Sequence, residues 1–228
     1  MLQNAAVFSP KAVVIQLHYF PGNASMAPHI LLEETGLPFE LRRVARDTGE
    51  HKSPGYLKLN PNGLIPVLVD GDLVLYESAA ICLHIVDTHP ENELAPPLGT
   101  PQRAHFYKWL AWMSTTLQPT LIQYFYPDRL VDPGNAEGAA QVKRQAEARV
   151  GALLDQLEAQ LGAHAGPWLL GERYSAVDPY AFMLCRWTRG FARPARSLPQ
   201  LGAWLQRMLQ RPAVQRALAT EQLQAPFV

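Results

Sequence analysis

Cysteine is scarce in this chain. Cys82 and Cys185 are the only two, far apart and without the His or Cys spacing of a zinc site or redox pair, so buried reduced thiols are expected. Neither charge is in excess: twenty Lys and Arg balance twenty Asp and Glu, which favours neither nucleic acid nor an anionic membrane as a partner. No run approaches the ~18 consecutive apolar residues of a membrane-spanning helix. The opening MLQNAAVFSPKA lacks the basic start and continuous apolar core of a secretory leader, so residues 1–12 read as a short extension and the protein as cytoplasmic. Internal repeats and low-complexity tracts are absent as well. With 48% hydrophobic and 18% charged residues in 228, the chain reads as an ordinary soluble globule able to bury a sizeable core in one large domain or two small ones.

Residues 13–19, VVIQLHY, are apolar and β-branched at their start and predict a first strand. After the turn Pro21-Gly22-Asn23 comes a helix from Ser25, which can cap it, to Gly36, which stops it, with Pro28 tolerated in the first turn. Residues 39–44 read as a second strand, making a βαβ unit whose strands are expected to be parallel. A loop and a short helix through Tyr56 and Leu59 follow. Residues 67–69 and 73–75 then flank Asp70-Gly71 as a hairpin, and 78–87 read as a helix with Ala79, Ala80, Leu83 and Val86 spaced to pack on a sheet. This is the element order of a thioredoxin-like domain.

Residues 90–102 carry Pro90, Pro96, Pro97, Gly99 and Pro101 and read as a linker, beyond which no strand is predicted. Residues 103–126 form one long aromatic helix with a kink expected at Pro119, and 141–161 form an amphipathic helix. A helix over 175–191 opens on a capping box, Ser175 with Asp178, and helices near 198–210 and 212–220 end the chain. The expected architecture is an α/β N-terminal thioredoxin-like domain over 13–89 plus an all-α C-terminal domain over 103–228.

Functional chemistry concentrates in residues 59–83, LNPNGLIPVLVDGDLVLYESAAICL. A cis Ile65-Pro66 bond is expected to leave neighbouring backbone groups unconsumed by a strand, and a helix start at Glu77-Ser78 offers a carboxylate, a hydroxyl and free amides together. Such a socket suits a small zwitterionic peptide. With Asn60-Pro61-Asn62-Gly63, Ile65-Pro66, Glu77-Ser78-Ala79-Ala80-Ile81, Ser175 and Asp178, the chain resembles the cytosolic glutathione transferase superfamily over nearly its whole length from Val13. The resemblance implies that Ile65, before cis Pro66, pairs its backbone with the cysteinyl part of glutathione. Glu77 takes the γ-glutamyl amine, Ser78 and the helix N-terminus take the γ-glutamyl carboxylate, and His51-Lys52 hold the glycyl carboxylate as in plant-type members. Ser175 and Asp178 are assigned to folding. The resemblance also implies a homodimer, with glutathione as co-substrate and no metal.

A free thiol has a pKa near ~8.5, so a transferase needs donors that favour the thiolate. Pro21-Gly22-Asn23-Ala24-Ser25-Met26-Ala27-Pro28-His29 resembles the bacterial beta-class pattern, but Ala24 stands where that class has cysteine. That removes mixed-disulfide chemistry at this position, and the class's His-Lys pair is replaced by Gln118 and Pro119. The candidate donors, in order of preference, are Ser25, Asn23 and Tyr19, with backbone amides as a fourth source. The electrophile is expected between the domains. Phe106, Trp109, Trp112, Tyr124, Phe125 and Tyr126 form the aromatic supply, with one or two of Trp112, Tyr124 and Tyr126 in contact with it; Arg129 and Arg186 are conceivable cation partners. The expected activity is transfer of glutathione to a small hydrophobic electrophile. The alternatives are glutathione-dependent reduction of peroxides or disulfides, and a binding or regulatory protein of the same fold without turnover.

Overall fold

The computed structural model describes residues 14–228; the expected extension over 1–12, and Val13, lie outside the described residues. Strand β1 (Ile15–Tyr19) leads to helix α1 (Met26–Thr35) and strand β2 (Phe39–Arg43). A short helix α2 (Pro54–Leu57), strands β3 (Val67–Asp70) and β4 (Leu73–Tyr76) and helix α3 (Ser78–Thr88) complete this half. The sheet order is β2-β1-β3-β4, with β1 and β2 parallel and the other pairs antiparallel. This is the expected α/β half, and every named element described after it is a helix, with one isolated antiparallel bridge between Trp168 and Gly171. No described helix is long and apolar enough to cross a membrane.

Local chemistry explains the element ends. Gly36 closes α1 at φ 68°, a left-handed conformation costly for a residue with a Cβ. In the hairpin Asp70 pairs with Leu73, so the tight turn is Gly71-Asp72, one residue beyond the Asp-Gly that signals it. Residues Met26 to Leu32 of α1 are all buried, because α1 lies between the sheet side and helices α7 (Val177–Trp187) and α9 (Pro212–Thr220). A helix apolar on all sides is what such a sandwich requires.

The remaining helices are α4 (Pro101–Trp112), α5 (Gln118–Phe125), α6 (Ala136–Gly162) and α8 (Pro199–Leu209). Helix α4 begins inside the expected linker, with Thr100 as its N-cap accepting from the Arg103 amide and Pro101 in its first turn. The expected single helix over 103–126 is interrupted by a π-helical turn, Met113–Leu117, rather than simply kinked at Pro119. Pro119 has no N–H for the preceding turn, and the hydroxyls of Ser114 and Thr115 both donate to the Ala111 carbonyl, 3.0 and 2.8 Å away.

Helix α7 is buried along its whole length and is the axis of the helical half. It ends at Trp187, short of the expected 191, because the Thr188 hydroxyl donates to the Cys185 carbonyl at 2.7 Å and accepts from the Ala195 amide at 2.9 Å. The capping box is only half formed. Asp178 accepts from the Ser175 amide at 3.0 Å, but the Ser175 hydroxyl caps nothing. Asp178 turns to tertiary structure instead, accepting from the Leu169 amide at 2.9 Å and the Trp204 indole at 3.2 Å. Both cysteines are buried and free.

Candidate active site

Strand register brings the dispersed motifs to one end of the sheet. His18 pairs with Val67 and Val67 with Tyr76, so the segments just beyond them, Phe20, Ile65-Pro66 and Glu77, emerge side by side. The Ile65-Pro66 peptide is cis. The turn before it is tightly built: the Asn60 side-chain amide and the Tyr56 hydroxyl both donate to the Leu64 carbonyl at 2.9 Å, while the Asn60 carboxamide oxygen accepts from the Asn62 amide at 3.0 Å. Gly63 sits at φ 57° with the His51 carbonyl and Lys52 side chain where a Cβ would lie, 2.8 Å from each, so no larger residue fits. Among the described residues the Ile65 N–H and C=O have no protein partner. They are the pair of backbone groups a bound peptide could use as a strand would.

Glu77 enters α3 at φ 74°, a left-handed backbone for a residue with a side chain, which costs on the order of 1 kcal/mol and is typical of functional positions. Its side chain is exposed and makes no cap to α3, which leaves the amides of the first turn free, where the helix dipole favours an anion. Ser78 is buried and donates its hydroxyl to the Ala24 carbonyl at 3.1 Å, tying the start of α3 to the segment after β1 and leaving its oxygen free to accept. Lys52 is exposed, its ammonium donating to the Asn62 carbonyl at 3.0 Å. His51 has its Nδ1 buried without a partner. Burial first, then Lys52 and Arg46 nearby, pull the imidazole pKa below its ordinary value, so near neutrality it is a neutral hydrogen-bonding group rather than a second cation.

The three candidate thiol donors are separated by burial. Ser25, the first choice from sequence, is fully buried; its hydroxyl donates to the Phe20 carbonyl at 3.1 Å and accepts from the Phe20 amide at 3.3 Å, and it makes no cap to α1. It folds the loop back on itself and does not face open space. Tyr19 is in the core, its ring 6.2 Å from that of His29. Asn23 alone lines a cleft, and its carboxamide oxygen is already taken by the Ala24 amide. Its NH₂ end makes no hydrogen bond among the described residues and is left to donate.

That cleft, about 190 Å³, lies between the halves. Its floor is Phe20 to Asn23, and its walls are Ile122, Phe125 and Tyr126 from the end of α5, Trp187 and Arg189 from the end of α7, and Arg46 from the loop after β2. Tyr126 is the one of the three favoured aromatics that lines it; Trp112 packs edge-on to Trp109, and Tyr124 lies 4.1 Å from the Phe191 ring. Gln118 accepts from the Tyr180 hydroxyl at 2.5 Å. Periodicity does not reveal Phe20, Arg46, Trp187 or Arg189 as cleft residues, because they come from loops and helix ends. Nor does it reveal how the Gly22 peptide is held: its N–H donates to the Glu221 carboxylate at 2.7 Å and its C=O accepts from the Trp187 indole at 3.1 Å. Glu221 in turn accepts from or pairs with buried His29 at 2.8 Å.

Residues 12–87 match the glutathione S-transferase N-terminal domain and residues 111–212 match its C-terminal domain. The chain belongs to the glutathione S-transferase family. Glutathione S-transferase GST-4.5 of Xanthomonas campestris pv. campestris is 33% identical over 92% of this chain and 100% of its own length. Among solved structures, a glutathione transferase from Methylococcus capsulatus is 37% identical with a TM-score of 0.79, covering 92% of this chain and 99% of that one. A glutathione transferase homologue from Sulfitobacter, solved with glutathione bound, is 27% identical with a TM-score of 0.84, covering 92% of this chain and 100% of that one. The glutathione S-transferase fold therefore runs through both halves of the chain.

Proposed function

We propose that this glutathione S-transferase binds glutathione at the sheet end formed by Ile65, Glu77, Ser78 and Lys52, and directs its thiolate onto a small electrophile with an apolar body held in the adjoining cleft. The observation that carries the reading is the convergence at one place of unpaired Ile65 backbone groups, the strained Glu77 at the start of α3 and the free Asn23 amide. Each meets one part of the tripeptide: the cysteinyl backbone, the γ-glutamyl end and the sulfur. In this reading the protein contributes thiolate stabilisation and proximity, not a group of its own that is consumed. The protein acts in the cytoplasm as a homodimer, as the family resemblance implies, and its role is detoxification of such electrophiles.

Calorimetric titration with glutathione, followed by conjugation of 1-chloro-2,4-dinitrobenzene above the uncatalysed rate, tests the reading. Tight binding without turnover would leave a binding protein, and absence of binding would overturn the proposal. Glu77→Gln is expected to weaken glutathione about 10- to 100-fold, the worth of ~1.5–3 kcal/mol for a hydrogen bond to a charged group. Lys52→Ala is expected to raise the KM for glutathione about two- to fivefold with kcat unchanged, because an exposed ion pair contributes only ~0.2–1 kcal/mol. That effect should shrink at high salt. Reduction of peroxides or disulfides is the second reading, and the structure restricts its route: Cys82 and Cys185 are buried with pKa values raised by burial, so a second glutathione rather than a protein thiol must take part.

A further inference from the structure

The cleft beside Asn23 is lined by aromatic and aliphatic side chains and by two arginines, Arg46 and Arg189, with no carboxylate among its lining residues. Arg46 is fixed there: it donates to the Tyr126 hydroxyl, and its guanidinium lies 5.8 Å from the ring centres of both Phe20 and Tyr126. Arg129 stacks on Tyr126 from 4.0 Å. Arg189 donates only to the Arg186 carbonyl, at 3.2 Å. Behind the floor, Arg186 is 3% exposed with its Nε unpartnered, and its Nη1 lies 3.3 Å from where a Cβ on Gly22 would stand. Among the described residues none of these four arginines is within 4.0 Å of a carboxylate. The Glu221 carboxylate behind the same floor is occupied by the Gly22 amide and His29.

Arg46 and Arg189 put two guanidinium groups on the wall of a cleft that has no carboxylate among its lining residues, which suits an anion, and the aromatic walls favour a flat partner. From this arrangement we infer that the acceptor substrate is an aromatic electrophile bearing a carboxylate, whose ring lies among Phe125, Tyr126 and Trp187 while its carboxylate meets Arg46 and Arg189. The inference rests on the glutathione-transfer reading and narrows its second substrate. For a chloroarene the step is substitution: the glutathione thiol has given its proton to solvent, the thiolate sulfur bonds to the chlorine-bearing carbon, and chloride leaves with the electron pair of the broken C–Cl bond.

A matched pair of substrates isolates the charge. 4-Chloro-3,5-dinitrobenzoate and 4-chloro-3,5-dinitrobenzamide share the reacting carbon and leaving group and differ at the far end of the ring. The ratio of their kcat/KM values, each corrected for its own uncatalysed rate, is expected to favour the benzoate by roughly tenfold or more at low salt and to fall as salt rises. Arg46→Gln and Arg189→Gln should each lower that ratio roughly three- to tenfold, and the double variant should bring it near one. The unreactive 3,5-dinitrobenzoate, titrated calorimetrically into glutathione-loaded protein against 3,5-dinitrobenzamide, should show the same preference without any turnover. A ratio at or below one, or a preference untouched in the double variant, overturns the inference while leaving glutathione transfer standing. Binding of two glutathiones per chain with which the benzoate does not compete also overturns it. Failure to bind glutathione overturns both readings.

Discussion

Replacing Asn23 with alanine is expected to raise the thiol pKa of bound glutathione by about 1–2 units and to lower kcat/KM at neutral pH about 10- to 100-fold. The size follows from the loss of one hydrogen bond to a charged sulfur, ~1.5–3 kcal/mol, at 1.36 kcal/mol per unit. Asn23 is singled out because its carboxamide oxygen is held by the Ala24 amide, which aims the remaining N–H donors away from the backbone and toward the cleft. Thiolate absorbance in the ultraviolet, followed across a pH series with glutathione bound, reads the effect directly. Ser25→Ala and Tyr19→Phe are the controls. Both should leave the thiolate signal where it is, and Ser25→Ala should cost about 1–2 kcal/mol of stability, because its hydroxyl closes the Phe20 loop from a fully buried position. A thiolate signal unchanged in Asn23→Ala would pass the role to backbone amides.

The largest stability effect is expected at Asp178, far from the cleft chemistry. Its carboxylate accepts from the amides of Leu169 and Ser175 and the indole of Trp204, joining three separate segments at one buried point. Asp178→Ala strands three donors, each costing ~1–3 kcal/mol, and should destabilise the protein by roughly 3–5 kcal/mol once the carboxylate's own desolvation is offset. Burial pushes this carboxyl up from 3.8 to about 6, against the pull of its donors. The folded chain therefore holds that proton more tightly than the unfolded one. The resulting contribution favours folding fully below about pH 4 and is lost as pH rises through about 6, a change of ~3 kcal/mol at 1.36 kcal/mol per unit. Urea unfolding of wild type and Asp178→Asn from pH 4 to 7 checks it: the difference in stability between the two should change across that window, and a constant difference would contradict it.

How far the sequence could be read depended on the range of the interaction involved. Gly36, the Asp-Gly hairpin signal and the helix start at Ser78 are local devices whose geometry is set by a few neighbouring residues, and they carry the α/β half. The long helix over 103–126 was legible as helix, but its π-turn depends on how Ser114 and Thr115 hydroxyls compete for the Ala111 carbonyl, which spacing does not show. Which of the candidate thiol donors is buried is hidden for a similar reason. Ser25 and Asn23 are two residues apart on one turn, and which of them faces open space is decided by the packing of the Phe20 loop. The cleft arginines were the least visible. Arg46 and Arg189 each look like an ordinary loop cation, and only the meeting of the two halves brings them to one wall.

The Gly22 peptide, gripped on one side by Glu221 and on the other by Trp187, means that the loop carrying Asn23 is anchored by the opposite half of the molecule. Trp187 also lines the cleft beside Asn23, so one side chain serves both a cleft wall and the placement of that loop. Such sharing constrains evolution. A lineage cannot freely reshape that wall without disturbing the loop that carries Asn23, so adaptation should proceed first through Phe125 and Ile122, which line the cleft without bonding to Gly22 or to Arg46.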